Sequence, residues 1–134
     1  DPAADALHKT REPLADGSVR TWHHTGDAGF LDDQQRLWLV GRVGERCGGL
    51  WPLPIEAAAE RLDFVRKAGL VEVSGKAVVA CELTEEAPED WALLVSRATG
   101  ANPVSVTTVP VDARHNAKVD RVALAALLGP SQLR

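Results

Sequence analysis

Residues Trp22 to Arg42 read WHHTGDAGFLDDQQRLWLVGR, and the rest of the chain is organised around them. Two apolar runs, Ala28-Gly29-Phe30-Leu31 and Leu37-Trp38-Leu39-Val40, flank the polar cluster Asp32-Asp33-Gln34-Gln35. A polar cluster between apolar runs of strand length reverses the chain, so the pattern predicts a β-hairpin. Each end carries a candidate ligand group: Thr25-Gly26-Asp27 before the first strand and Gly41-Arg42 after the second. A carboxylate on a glycine-flexed turn can accept two hydrogen bonds from a vicinal diol, and a guanidinium holds a phosphate as a planar fork. Together the two would suit a ribose and its phosphate. Taken singly, the same residues are ordinary turn formers.

The whole sequence has 134 residues, 45% hydrophobic and 25% charged, as expected for one globular domain with one core. A net charge of −4 without a lysine or arginine run offers no basic face to nucleic acid. Cys47 and Cys81 lie in unlike segments without metal-ligand spacing, which fits reduced thiols in the cytoplasm. No apolar stretch reaches the ~18 residues of a membrane span. The start, Asp1-Pro2-Ala3-Ala4-Asp5, has neither the basic residues nor the apolar run of a signal peptide. The chain is therefore expected in the cytoplasm, with no nucleic-acid partner and no membrane span. His23, His24 and Asp27 form a candidate metal cluster, but adjacent histidines on a strand point to opposite faces and do not readily share an ion. No metal site of the protein's own is expected. Trp22, Trp38, Trp51 and Trp91 do not recur beside basic residues as a base-stacking platform would, and read as core and interface anchors.

In chain order, residues 1–20 are polar and mixed in charge, and read as a short helix or loop around Ala3 to Lys9 followed by coil. Residues 43–49 contain three glycines and no period, which marks a flexible joint. Pro52 and Pro54 open a helix-forming run to Leu62, where a missing N–H costs least. Residues 64–73 and 76–83 predict an antiparallel hairpin about Ser74-Gly75, the second strand apolar enough to be central. An acidic loop follows at 84–89, then an amphipathic helix over 90–99 with Trp91, Leu94 and Val95 inward and Gly100 as its stop. β-branched residues at 104–111 predict a third strand, and Asp120 caps a last helix over 121–128. The expected fold is α+β: an N-terminal hairpin and joint, then a small three-stranded sheet packed with helices.

Between the third strand and the last helix, residues 112–121 concentrate Arg114, His115, Lys118 and Arg121 in an otherwise acidic chain. Irregular segments held by regular structure at both ends commonly carry catalytic groups, although exposed basic residues are also what loops ordinarily show. His115 is a candidate general acid or base near neutral pH, although a lone loop histidine is more often structural or solvated.

Three segments, in this order, resemble motifs of the adenylate-forming superfamily, which includes acyl- and aryl-CoA synthetases, nonribosomal peptide synthetase adenylation domains and firefly luciferase. Trp22-His23-His24-Thr25-Gly26-Asp27 resembles its TGD motif, Gly41-Arg42 the GR before its interdomain hinge, and Asn116-Ala117-Lys118-Val119-Asp120-Arg121 its NGKxxR motif. Gly48-Gly49 and Pro52-Leu53-Pro54-Ile55-Glu56 are similar to the glycine pair and PxEIE that open its mobile domain. The match covers nearly the whole chain beyond residue 20. The Arg114-His115-Asn116-Ala117-Lys118 form, with alanine for the usual glycine, is most similar to the β-lactone synthetase branch of olefin biosynthesis.

The resemblance implies three parts: the tail of a large N-terminal domain (1–42), a hinge (43–49) pivoting at Val43 and Gly44, and a mobile lid domain (50–134). It implies a C-terminal fragment of an enzyme that joins ATP and a carboxylic acid into an acyl-AMP and releases pyrophosphate, the phosphate loop and acid pocket lying in the large domain. Mg²⁺ would accompany the ATP phosphates, and CoA would be a further substrate in the CoA synthetases. Lys118 is then the catalytic residue, Asp27 binds the ribose hydroxyls, Arg42 lies near the ribose and phosphates, and Thr25 belongs to the same nucleotide site. Gly44 stands where the family usually carries Asp or Lys, implying a looser hinge. The segment between Arg42 and Pro52 is shorter than in typical CoA synthetases, where it builds part of the CoA tunnel. The isolated chain is expected to be inactive. A different reading, motivated by the missing phosphate loop, is a stand-alone non-catalytic binding module with the same fold; retention of Asp27, Arg42 and Lys118 together argues against it.

Overall fold

The computed structural model describes residues 8–113 and 117–129. The elements run β1 (Lys9–Pro13), β2 (Val19–His23), β3 (Asp27–Leu31), β4 (Leu37–Arg42), a 3-10 turn (Val43–Glu45), α1 (Pro52–Glu60), β5 (Val65–Val73), β6 (Lys76–Leu83), α2 (Trp91–Thr99), β7 (Asn102–Val106) and α3 (Arg121–Leu127). Two antiparallel hairpins, β1-β2 and β3-β4, precede a three-stranded sheet of order β5-β6-β7.

The apolar run of β6 puts it at the centre of that sheet. Successive strand side chains point to opposite faces, so a continuous apolar run needs cover on both. Val79 and Cys81 pack with Ile55 and Ala59 of α1 and Val95 of α2; Val78 and Ala80 pack with Val109, Leu124 and Leu128 on the other face. Ser74 and Gly75 turn β5 into β6 with φ of 51° and 74°, the two-residue turn whose twist suits a hairpin. β6 and β7 pair in parallel, and α2 supplies the crossover that parallel pairing needs. Gly100 ends α2 in the left-handed conformation, and the Asp120 carboxylate caps α3 by accepting from the Ala123 N–H at 2.9 Å.

Two expectations need correction. Residues 9–20 are not coil: β1 and β2 form a ladder from Lys9↔His23 to Pro13↔Val19 around a turn at Gly17. Their side chains are almost all exposed, so backbone pairing holds them without the apolar alternation that betrays a strand. Of the short helix or loop expected around Ala3 to Lys9, residues 3–7 lie outside the described residues, His8 is helical, and Lys9 opens β1. The third strand runs over Asn102–Val106 rather than 104–111. Pro103 is tolerated because β7 is an edge strand, and the β-branched stretch beyond Val106 leaves the sheet to bury Val109 in the second core. Of the tryptophans expected as core or interface anchors, Trp91 packs against the first core, and Trp22 and Trp38 are half exposed on their hairpins.

The β3-β4 hairpin turns at the predicted cluster. Asp32 accepts from the Trp38 indole at 2.8 Å, the Arg36 and Gln34 N–H groups and the Arg36 guanidinium. These bonds, the indole's above all, hold its carboxyl down at about 2.

Candidate functional site

The β3-β4 register places Asp27 directly opposite Arg42, and the Val43 N–H donates to the Gly26 carbonyl at 2.9 Å, so the ladder joins the TGD turn to the GR segment. Arg42 Nη1 donates to Asp27 Oδ1 at 3.2 Å, with the side chains 55% and 39% exposed. An exposed pair of this kind contributes about 0–1 kcal/mol, so a ligand offering hydroxyls and phosphate can open it at little cost. Thr25 Oγ1 accepts from the Asp27 N–H at 3.2 Å and shapes the turn. It does not line the cavity that Asp27 and Arg42 face.

Gly41 seats this hairpin on the rest of the chain. Its φ is +142°, and a Cβ there would lie 2.9 Å from Pro52 Cδ at the start of α1. The linker that follows contains local backbone structure. Val43–Glu45 forms a 3-10 turn, and Cys47 and Leu50 exchange backbone hydrogen bonds of 3.0 and 2.8 Å. The Arg46 guanidinium lies 5.1 Å over the Trp51 ring. Gly44 has open space where a side chain would stand.

The loop carrying Lys118 is pinned at its roots. The Asp112 N–H donates to the Lys118 carbonyl at 2.8 Å, the Asp120 N–H donates to the Pro110 carbonyl at 2.9 Å, and Val111 and Val119 form a bridge between them. Lys118 is exposed, and among the described residues no hydrogen bond or ion pair engages its ammonium. Arg114, His115 and Asn116, and with them the expected general acid or base, lie outside the described residues.

The sequence reading missed a group of charges at the outer edge of β5. Among the described residues that edge has no neighbouring strand, and α1 supplies acceptors there: the Leu70 N–H donates to Glu56 at 2.9 Å and the Ala68 N–H to Glu60 at 3.0 Å. The spacing fits, since four helical residues rise ~6.0 Å and two strand residues ~6.6–6.8 Å. Arg121 completes the arrangement by donating to the Leu70 carbonyl at 2.9 Å and to Glu56, while its Nε reaches Glu45 in the linker at 3.0 Å. Carboxylate and guanidinium thus stand in for the acceptor and donor of an adjacent strand. Burial works against the Arg121 charge, but Glu56 and then Glu45 outweigh it and hold the guanidinium above its ordinary pKa. Glu56 and Arg121 end two of the motif matches, yet no sequence rule pairs them.

One cavity of about 1000 Å³ collects these groups. Six acidic residues, Asp27, Glu45, Glu56, Glu60, Asp112 and Asp120, and four basic ones, Arg42, Lys67, Lys118 and Arg121, line it, with Leu39, Leu53, Val119 and Val122 as an apolar wall. Its size is at the upper end of the roughly 300–1000 Å³ usual for small-molecule clefts. The ribose, phosphate and lysine candidates, far apart in sequence, therefore face one space. The lining as a whole is net acidic, so an anionic group placed there would have to be met locally by Arg42 and Lys118, with an apolar ring or chain against the leucine and valine wall.

No family model matches the chain. It is 35% identical, over 92% of its own length and 26% of the relative's, to the olefin beta-lactone synthetase of Stenotrophomonas maltophilia. The solved structure of Klebsiella oxytoca NpsA in complex with 3-hydroxyanthranilyl-AMSN matches with a TM-score of 0.71 at 21% identity, covering 96% of this chain and 28% of that one. ATP-bound MatB from Rhodopseudomonas palustris matches with a TM-score of 0.63 at 18% identity, covering 89% of this chain and 26% of that one. The chain thus spans about a quarter of the length of each.

Proposed function

We propose that this chain, a relative of the adenylate-forming enzymes that shares the fold of their C-terminal domain, supplies the lysine-bearing side of an ATP-dependent carboxylate-adenylating site. The observation that carries the reading is the gathering of Asp27, Arg42 and Lys118 around one cavity. The phosphate loop and the acid pocket would then be contributed by a larger N-terminal domain, with 1–42 as its tail, 43–49 as the hinge and 50–134 as the lid.

In this reading the substrate carboxylate attacks the α-phosphorus of ATP and pyrophosphate leaves. Negative charge gathers on the attacked phosphoryl group, and Lys118 meets it as a positive point charge between the carboxylate and α-phosphate oxygens. Its ammonium makes no contact among the described residues that it would first have to give up. Asp27 exchanges its bond to Arg42 for the two ribose hydroxyls, freeing the guanidinium toward phosphate. Thr25 holds the turn on which Asp27 sits. Mg²⁺ would arrive on the nucleotide's phosphates; among the described residues no three His, Cys, Asp or Glu side chains gather as a ligand set, and no step here is assigned to the ion. Once acyl-AMP has formed, the similarity to the beta-lactone synthetase and the short Arg42–Pro52 linker favour lactone closure over transfer to CoA. A non-catalytic module would have no use for an unengaged ammonium facing an Asp–Arg pair, and that disfavours the stand-alone reading.

The test is ATP–pyrophosphate exchange in the full protein that carries this chain. Loss of one transition-state contact typically costs ~10²–10³ in rate, so Lys118→Ala should lose nearly all exchange while unfolding at the wild-type temperature. Asp27→Ala should raise the ATP KM. Normal exchange in Lys118→Ala would remove the lysine from the chemistry, and an unchanged KM would remove Asp27 from the nucleotide site.

A further inference from the structure

We infer that Arg121 is the positioning residue of Lys118, and that Glu45 ties this positioning to the linker between Arg42 and α1. The inference rests on Lys118 being the adenylating lysine. Lys118 takes its place from the backbone: its carbonyl accepts from Asp112, and two residues later Asp120 both donates to Pro110 and caps α3. The next residue is Arg121, whose side chain is only 17% exposed and whose three nitrogens all have acceptors. Nε donates to Glu45, Nη1 to Glu56 and the Leu70 carbonyl, and Nη2 to Glu56 at 3.4 Å. A planar fork satisfied on every nitrogen accepts one orientation, so the first turn of α3 cannot slide along β5 without breaking several of these bonds. Lys118 hangs from that turn.

Glu45 differs from the other anchors. Glu56 lies on α1, which packs on one face of the sheet, and Leu70 on β5, whose other face α3 covers, so both fix the helix to its own sheet. Glu45 lies three residues after Arg42, the partner of Asp27. All of Asp27, Arg42, Glu45, Arg121 and Lys118 line one cavity. The Glu45 contact therefore joins the charged end of the β3-β4 hairpin to the loop bearing the lysine. Without it, the Glu56–Arg121 pair still holds α3 on the sheet, while the hairpin side of the cavity can drift from the lysine side. A misplacement of ~1 Å in a reacting site can cost ~10² in rate.

Glu45→Gln is the informative variant, because removing the Arg121 charge outright would strand the buried Glu56 carboxylate and put folding at risk. Arg121→Lys keeps the charge but loses the fork and serves as the second. Exchange kinetics and thermal unfolding would be measured on both, beside Lys118→Ala, in the full protein. The expected result is a kcat lowered roughly 10- to 100-fold in both variants, with ATP KM unchanged and, for Glu45→Gln, Tm unchanged. Unchanged kcat in Glu45→Gln beside an inactive Lys118→Ala overturns the positioning role and leaves the lysine's role standing. A kcat that falls only in step with Tm overturns it too, since that is the signature of a structural contact. Full exchange in Lys118→Ala removes the lysine's role and this inference with it.

Discussion

Alanine at position 69 would measure how tightly the Lys118 loop is seated on the sheet. A Cβ on Gly69 would lie 2.6 Å from Leu124 Cδ2, 3.0 Å from Val119 Cγ1 and 3.3 Å from Val109 Cγ1. Carbon atoms rest about 3.5–4.0 Å apart, so the nearest contact must open by about an ångström. Leu124 and Val109 are buried in the second core, and Val109 and Val119 flank the loop at its two roots. The methyl group therefore lifts α3 and the loop together. Overpacking of this kind costs about 1–3 kcal/mol, which for a chain of this length is roughly 3–12 °C in Tm. The assay is thermal and urea unfolding of Gly69→Ala, Leu124→Ala and the double variant. Leu124→Ala alone should cost about 2–5 kcal/mol through the hole it leaves. In the double variant the new methyl partly fills that hole, so the combined loss should fall short of the sum of the two by about 0.5–1 kcal/mol or more. A Gly69→Ala protein as stable as wild type, or strictly additive losses, would show that the loop is not seated on Gly69.

Two further predictions concern stability. Burial, and then the Glu60 charge, push the Cys81 thiol from 9.0 up to about 12. Above pH 9 the unfolded chain surrenders a proton that the folded chain keeps, so this contribution to stability is whole below about 9 and declines toward 12. The urea midpoint of the wild type should fall more steeply across that range than that of Cys81→Ala; parallel curves would contradict the shift. Asp120→Ala removes the side-chain cap of α3 and should cost about 1 kcal/mol in urea unfolding, whereas no loss would show that the cap is idle.

Legibility in the sequence followed the physical range of each signal. Local signals were read correctly: the Asp32 turn, the Ser74-Gly75 hairpin, the Gly100 stop and the Asp120 cap each depend on a few adjacent residues whose side chains or φ angles define the turn. The central place of β6 was legible because a strand covered on both faces has to be apolar throughout. The β1-β2 hairpin escaped notice because its exposed strands carry no apolar period, although Asp16-Gly17 is a strong hairpin turn signal. The third strand was set too late because β-branched residues serve a buried connection as well as a strand.

What the sequence by itself determined is the β3-β4 hairpin, the order of elements from α1 to α3 and the candidates Asp27 and Arg42, which come from residue chemistry within short windows, while the resemblance singled out Lys118. Only the tertiary structure decided that those groups share one cavity, that the glycine-rich linker holds a 3-10 turn, and that Glu56 and Arg121 stand in for a neighbouring strand beside Leu70. The reason is physical. An edge strand's unpaired N–H and C=O groups must find partners, but which distant side chains provide them depends on where helices come to rest, and no local pattern encodes that position.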